Sequence, residues 1–398
     1  MSISRATRLA LVATLAIGAI GCDDSSDGND KASSPVSALA TTSTEPTATP
    51  PATEAPTTDA TTTTPHPPTT TTQGFATTWE RVVPGGDCEC ADKSEFSFYV
   101  RKADPTKVVL FFQGGGACFS AETCRFQGGT YKVTTDASDD PGSGSPAGIF
   151  DFDNEANPFR DYSFVFVPYC TGDVHIGNAE TTYAPDLVVE HKGYVNGNAA
   201  LAYMTENFPD AQQVVVTGES AGSVPTPLFA GLVFDQLPNA AITVLADGSG
   251  AYPDNDELNA GIGALWGTTN AIPDWPENQA ITTADWSFPG LFIQAGKHAP
   301  GIVFARHDYA FDKTQSFFAG LVGIDAADLV TLIDGNETQI EQAGTNLLSY
   351  IAPGDDHTVL GNDRFYTEDV NGVLLVDWVT SLVNGGAVAD VHCETCTA

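Results

Sequence analysis

The 398-residue sequence predicts an α/β fold, a mostly parallel sheet covered by helices, on three observations. Short apolar runs rich in Val, Ile and Phe recur from residue 108 onward, bounded by glycine or polar residues as buried strands are. Helix-compatible segments, such as 198–208 and 337–347, lie between them. Two of the runs end in glycine-bearing turns, and reactive groups gather at the carboxyl ends of strands in such sheets.

Taken in order, the first strand is 108–112, which runs into Gln113-Gly-Gly-Gly-Ala-Cys118. The second is 164–168. The third, 214–217, turns into Gly218-Glu-Ser220-Ala-Gly222, with the form of a nucleophile elbow. There a strand bends sharply into a helix, and glycines on either side let the backbone crowd round an exposed hydroxyl. Pro225 and Pro227 fit only the first turn of the helix that follows. The fourth strand is 242–246, the fifth either 291–294 or 302–305, and the last 348–351.

The elbow alone is weak, since roughly 0.2 such matches arise by chance at this glycine content; its strand-and-turn context gives it meaning. Acyl transfer needs an activated oxygen and fixed backbone N–H groups for the charge that develops on the carbonyl oxygen, so the glycine turn after 112 reads as the second half of one site. Ala221, the residue after the nucleophile, supplies one such N–H. In the α/β-hydrolase order the acid and the histidine follow the serine. Of His298, His307, His357 and His392, only His357 sits in a loop directly after the last strand, and it is the expected base. Asp308 and Asp312 both follow the 302–305 strand, and spacing does not separate them as the acid. Asp355 and Asp356 adjoin the histidine and read as a solvated loop edge.

Five ordered blocks carry a resemblance. Gln113-Gly-Gly-Gly-Ala-Cys118-Phe, Val165-Phe-Val-Pro-Tyr-Cys170-Thr-Gly-Asp173-Val, the elbow, Leu245-Ala-Asp247-Gly-Ser249-Gly and Phe311-Asp312-Lys-Thr-Gln315 together resemble the pectin acetylesterase and Notum family of serine carboxylesterases, from about Cys88 to His357. The resemblance implies an α/β-hydrolase-like fold with loop or lid insertions, Ser220 as nucleophile, His357 as base and Asp312 as acid. It also implies an oxyanion hole from Gly115, Gly116 and Ala221. Two departures concern substrate: the family's tryptophan in the glycine turn is replaced here by Gly116-Ala117, and the elbow ends Gly222-Ser223 rather than in a glycine pair. The expected reaction is hydrolysis of acetyl or other short-chain esters, on polysaccharide as the resemblance suggests, with no metal or organic cofactor. A polyester or lipid esterase and a catalytically silent, surface-displayed binding protein are the alternatives. The insertion 252–286, with Trp266, Trp275 and Trp286, reads equally as a lid over the acyl chain or as a satellite core.

The remainder of the chain bounds these readings. Arg5 and Arg8 precede the apolar run 9–20 and Ala19-Ile-Gly-Cys22, a signal of lipoprotein type in which Cys22 becomes the lipidated first residue. Residues 23–73, rich in Thr, Pro and Ser, form an expected disordered tether that includes His66, and 74–398 form the esterase domain. Membrane contact is expected only through the lipidated N-terminus, with ordinary secretion if Cys22 is not modified, and the protein is expected to be a monomer at the bacterial surface. The net charge is −35, of which residues 74–398 carry −31, so nucleic acid is excluded as a partner and anionic surfaces or polyanionic glycans fit poorly. Asp151 to Glu155 lack the glycine and glutamate spacing of a calcium loop, and no metal site is expected. Without Cys22, seven cysteines remain: Cys88, Cys90, Cys118, Cys124, Cys170, Cys393 and Cys396. One thiol is therefore free. Cys118 and Cys124 suit a short loop behind the glycine turn, while Cys88 or Cys90 with Cys393 or Cys396 is the expected tie between the domain's ends.

Overall fold

A computed structural model describes residues 78–126, 129–394 and 396. The signal-type segment, Cys22 and the tether lie outside the described residues. The chain enters through two short strands, β1 (Glu80–Val82) and β2 (Phe98–Arg101), and continues through β3 (Asp104–Phe112), α1 (Ala121–Arg125) and β4 (Tyr162–Val167). A hairpin of β5 (Ala179–Ala184) and β6 (Leu187–His191) leads to α2 (Gly193–Asn207), β7 (Gln213–Glu219), α3 (Thr226–Gln236) and β8 (Ala241–Asp247). Then come α4 (Asp256–Trp266), α5 (Phe288–His298), β9 (Val303–Tyr309), α6 (Lys313–Leu321), α7 (Leu329–Gln342) and β10 (Leu347–Ala352). A second small hairpin, β11 (Asp369–Val370) and β12 (Val373–Leu374), precedes α8 (Leu375–Val383) and β13 (Val391–His392).

Nine strands form one sheet in the order β1-β2-β4-β3-β7-β8-β9-β10-β13. β1, β2 and β4 pair antiparallel, and every pairing from β4 onward is parallel. The apolar runs are continuous because the central strands are buried on both faces. On β3, Val108, Leu110 and Phe112 join a core under α2, α3 and α5, while Val109 and Phe111 join a second core under α8. That alternation is the period-two rule of a strand applied twice.

All six expected strands are present. The fifth is the 302–305 candidate. Residues 291–294 are helical instead: Ser287 caps α5 through the Gly290 N–H, Pro289 sits in its first turn, and Leu291, Phe292 and Ala295 face the core. The segment 337–347 is helical only to Gln342, where Gly344 turns at φ +94° and Leu347 begins pairing with Phe304 of β9. α2 begins at Gly193, five residues ahead of the expected 198.

The cysteines depart from expectation at the domain's ends. Cys90 pairs with Cys170, Cys118 with Cys124 and Cys393 with Cys396; Cys88 is free among the described residues. Cys90 lies near β2 and Cys393 follows β13, at opposite ends of the strand order. With neighbouring strands about 4.8 Å apart, the sheet is some tens of ångströms wide, far beyond the reach of one disulfide.

Candidate active site

Ser220 stands at the carboxyl end of β7, against the glycine turn that follows β3. It follows β7 with φ +53°, a left-handed conformation that is rare and costly for a residue with a side chain. The elbow is held by contact. A Cβ at Gly218 would lie 2.2 Å from the Gly222 carbonyl oxygen, and one at Gly222 would lie 2.1 Å from that of Phe112, so neither position admits any other residue without backbone movement. The glycine turn after β3 packs on the elbow, since a Cβ at Gly114 would stand 2.8 Å from that of Ser220.

The turn leaves donors free. Among the described residues, the N–H groups of Gly115, Gly116 and Ala221 supply none of the turn and loop hydrogen bonds, whereas Ala117 N–H donates to Thr130 and Lys132 N–H to the Gly115 carbonyl. Gly116 has φ +76°. His175 Nε2 bonds the Gln113 carbonyl at 2.9 Å, and Asp173 accepts from the N–H of His175 and Gly193 and from Thr171 Oγ1, so the second resemblance block braces the first. Burial pushes the His175 imidazole down to about 4, which keeps it neutral as a donor at that carbonyl.

His357 and Asp312 meet as expected. His357 Nδ1 lies 2.6 Å from Asp312 Oδ2. Asp312 leaves β9 to cap α6: its Oδ1 accepts from the Thr314 and Gln315 N–H groups, and Gln315 Nε2 donates to Oδ2. Asp308, four residues earlier, instead pairs with Arg306 at 2.8 Å and accepts from Gly250 N–H and Gln315 Nε2. Asp355 and Asp356 pair at the loop surface with Lys313 and Arg364.

His357 Nε2 is buried and has no hydrogen-bond partner among the described residues, and Ser220 Oγ makes no hydrogen bond there. The ring stands beside Gly248, whose Cβ position is 3.4 Å from His357 Cε1, and Gly248 lines the same pocket as Ser220. Burial lowers the imidazole pKa, but the hydrogen bond and charge of Asp312, with Asp247 and Glu219 behind it, outweigh burial and hold it above the ordinary value. Such a histidine is well matched to taking and returning a proton near neutral pH.

Three groups near the site carried no role in the sequence reading. Asp247, fully buried, binds His307 Nδ1 at 2.8 Å through one oxygen and accepts from the Val359 and Leu360 N–H groups through the other, fastening the loop that bears His357. Gln315 bridges the two candidate acids and accepts from Ala251 N–H. Glu219, beside the serine, is pushed up to about 7 by burial and by Asp247, with His357 opposing. The other histidines lie elsewhere: His298 binds Asp235 and Glu277, and His392 binds Ser349.

Ser220, Gly116 and Ala117 line an apolar pocket with a cavity volume of about 110 Å³. The insertion 252–286 supplies much of its wall. Trp266 and Trp286 line it, and Trp266 Nε1 donates to the Cys118 carbonyl, so a tryptophan from α4 reaches the turn that lacks one of its own. Trp275 instead stacks on His298 with ring centroids 4.2 Å apart and donates to Asp235, anchoring the insertion to α3 and α5. The insertion thus walls the pocket, and its three tryptophans join the main core under α2, α3 and α5 rather than a satellite one.

Residues 82–264 match the Pectinacetylesterase family model, a span that includes the glycine turn and the elbow. Over that span the chain is similar to the pectin acetylesterase and Notum family. Similar proteins include human palmitoleoyl-protein carboxylesterase NOTUM, 26% identical over 181 residues that cover 42% of this chain and 35% of that protein. Notum2 of Xenopus laevis is 28% identical over 135 residues, 33% of this chain and 27% of that one. The chain thus aligns with about a third of the length of these relatives. The family fold extends further: the structure of the Wnt deacylase Notum from Drosophila matches 80% of this chain and 97% of its own, with a TM-score of 0.58 at 16% identity.

Proposed function

We propose that the protein is an extracytoplasmic serine carboxylesterase that cleaves acyl esters through an acyl-enzyme. The observation that carries this reading is a left-handed Ser220 opening on an apolar pocket that Gly248 also lines, with the bonded Asp312–His357 pair standing against Gly248. Ser220 Oγ attacks the ester carbonyl carbon while His357 Nε2 takes its proton, and Nδ1–H stays on Asp312, which stabilises the imidazolium. The N–H groups of Gly115, Gly116 and Ala221 are suited to the oxyanion because they have no competing acceptor among the described residues. The imidazolium returns the proton to the departing alcohol; His357 then takes a proton from water as the water oxygen attacks the acyl carbon, and gives it to Ser220 Oγ as the acid leaves.

The pocket favours an acyl group longer than acetate. Its walls are aromatic and aliphatic, which is how a site binds a hydrocarbon chain, and the domain charge of −31 disfavours a polygalacturonate. Acetylated neutral glycans are the second reading, carried by the Pectinacetylesterase match. The similar proteins include a silent one, the inactive palmitoleoyl-protein carboxylesterase notum1b of Danio rerio, 27% identical over 104 residues. The serine, histidine and acid together support the active reading. Three disulfides suit an oxidising compartment, and lipidation at Cys22 would hold the enzyme at the membrane surface.

A fluorophosphonate probe tests the reading. The wild type should label and Ser220→Ala should not, with turnover of a chromogenic butyrate ester lost at the same time. Equal labelling of both proteins would end the proposal.

A further inference from the structure

Eight large hydrophobic side chains are exposed among the described residues, and three of them fall between residues 311 and 321: Phe311 at 37%, Phe317 at 48% and Leu321 at 41%. Phe317 and Leu321 are four apart on α6 and share a face. The same helix walls the pocket. Phe318 lines it, with Val322 and Ile324 just beyond the helix end, and Phe318 Cζ stands 3.1 Å from the Cβ position of Gly116. The Phe317 and Phe318 rings touch, with centroids 5.2 Å apart, so exposed and pocket-lining aromatics are continuous. Charge marks the surface as well. In a chain of net charge −35, residues 313–324 hold no carboxylate, and their one cation, Lys313, is paired with Asp355.

We propose that this face of α6 docks on an uncharged ester phase, a droplet or solid surface of the substrate itself, and so delivers acyl chains to the pocket beside it. The proposal rests on the carboxylesterase reading. An exposed apolar patch of this kind marks an interaction surface, and dissolved ester has no need of one. The strongly negative domain is repelled by anionic lipid, whereas a neutral ester phase offers apolar area without opposing charge. Docking there removes Phe317 and Leu321 from water on the helix that walls the site.

The test uses the full chain with tributyrin, below and above its solubility limit. The wild-type rate should rise at least tenfold as droplets form. The Phe317→Ser/Leu321→Ser protein should keep its dissolved-ester rate within twofold and lose that rise. Val303→Ser, an equally exposed valine at the start of β9 and so at the far end of the sheet from Ser220, should behave as wild type. A double variant that keeps the rise, or a wild type that shows none, overturns the proposal. Flotation with triolein droplets reads docking without turnover: Ser220→Ala protein should float, and the same protein carrying both α6 changes should stay in the aqueous layer. Equal partition of the two refutes the surface. Should wild type cleave neither dissolved nor dispersed ester, the carboxylesterase reading falls, and flotation alone judges the docking face.

Discussion

Asp308 and Asp312 are both buried and only four residues apart, and the backbone assigns their roles. Asp308 is still in β9, where Arg306 and the Gly250 N–H claim its oxygens. Asp312 lies past the strand end, where capping α6 orients its second oxygen toward His357. Spacing could not separate them, yet a signal was present: an aspartate followed three residues later by glutamine is a helix-start pattern, and an N-cap side chain is held in one direction. Asp312→Asn should lower kcat by about three to four orders of magnitude. Asp308→Asn should leave kcat within tenfold and cost stability instead, because it strands the buried Arg306 charge. The pH profile adds a second reading. In the proposed mechanism neutral imidazole is the active form, so a raised His357 pKa places the acid limb of kcat/KM above pH 6.5, and removing the Asp312 charge should move that limb to lower pH. An unmoved limb in Asp312→Asn would show that another group controls the profile.

At the scale of elements, β8 contributes to the site without touching the reacting atoms. Asp247 at its end ties β9, through His307, to the 359–360 backbone, and so fixes how far the His357 loop reaches from β10. Asp247→Ala leaves two buried N–H groups and a buried imidazole without their acceptor, at a cost of roughly 1–3 kcal/mol for each unsatisfied group. The expected result is a loss of about 100-fold in kcat/KM, the size that a misplacement near 1 Å produces, with KM little changed. An unchanged kcat would mean that the loop is held by its other contacts. The central strands were readable because burial on both faces writes itself as unbroken apolar residues. Edge strands leave no such record: β1 and β13 are three and two residues long. α5 read ambiguously because its run 291–294 is short and apolar, and only the Ser287 cap and Pro289 identify it as a helix.

At the scale of the molecule, the sequence order of cysteines did not foretell their partners, because bridging depends on the spatial order of strands. Cys90 meets Cys170 since β2 lies beside β4; the C-terminal pair closes on itself at the far edge. The Cys118–Cys124 loop was legible because six residues cannot separate two thiols far. The left-handed Ser220 also has a consequence for the whole chain. A residue with a Cβ costs roughly 1–2 kcal/mol in that conformation, more than the roughly 0.4–1 kcal/mol that glycine gives up in the unfolded chain. Ser220→Gly should therefore melt above both wild type and Ser220→Ala, and a lower melting temperature would show that the elbow bears no such load. The reactive residue and the sturdiest residue at this position are then different amino acids. On the proposed mechanism, heat tolerance and turnover pull this one site in opposite directions, and a lineage selected for durability alone would lose the proposed nucleophile first.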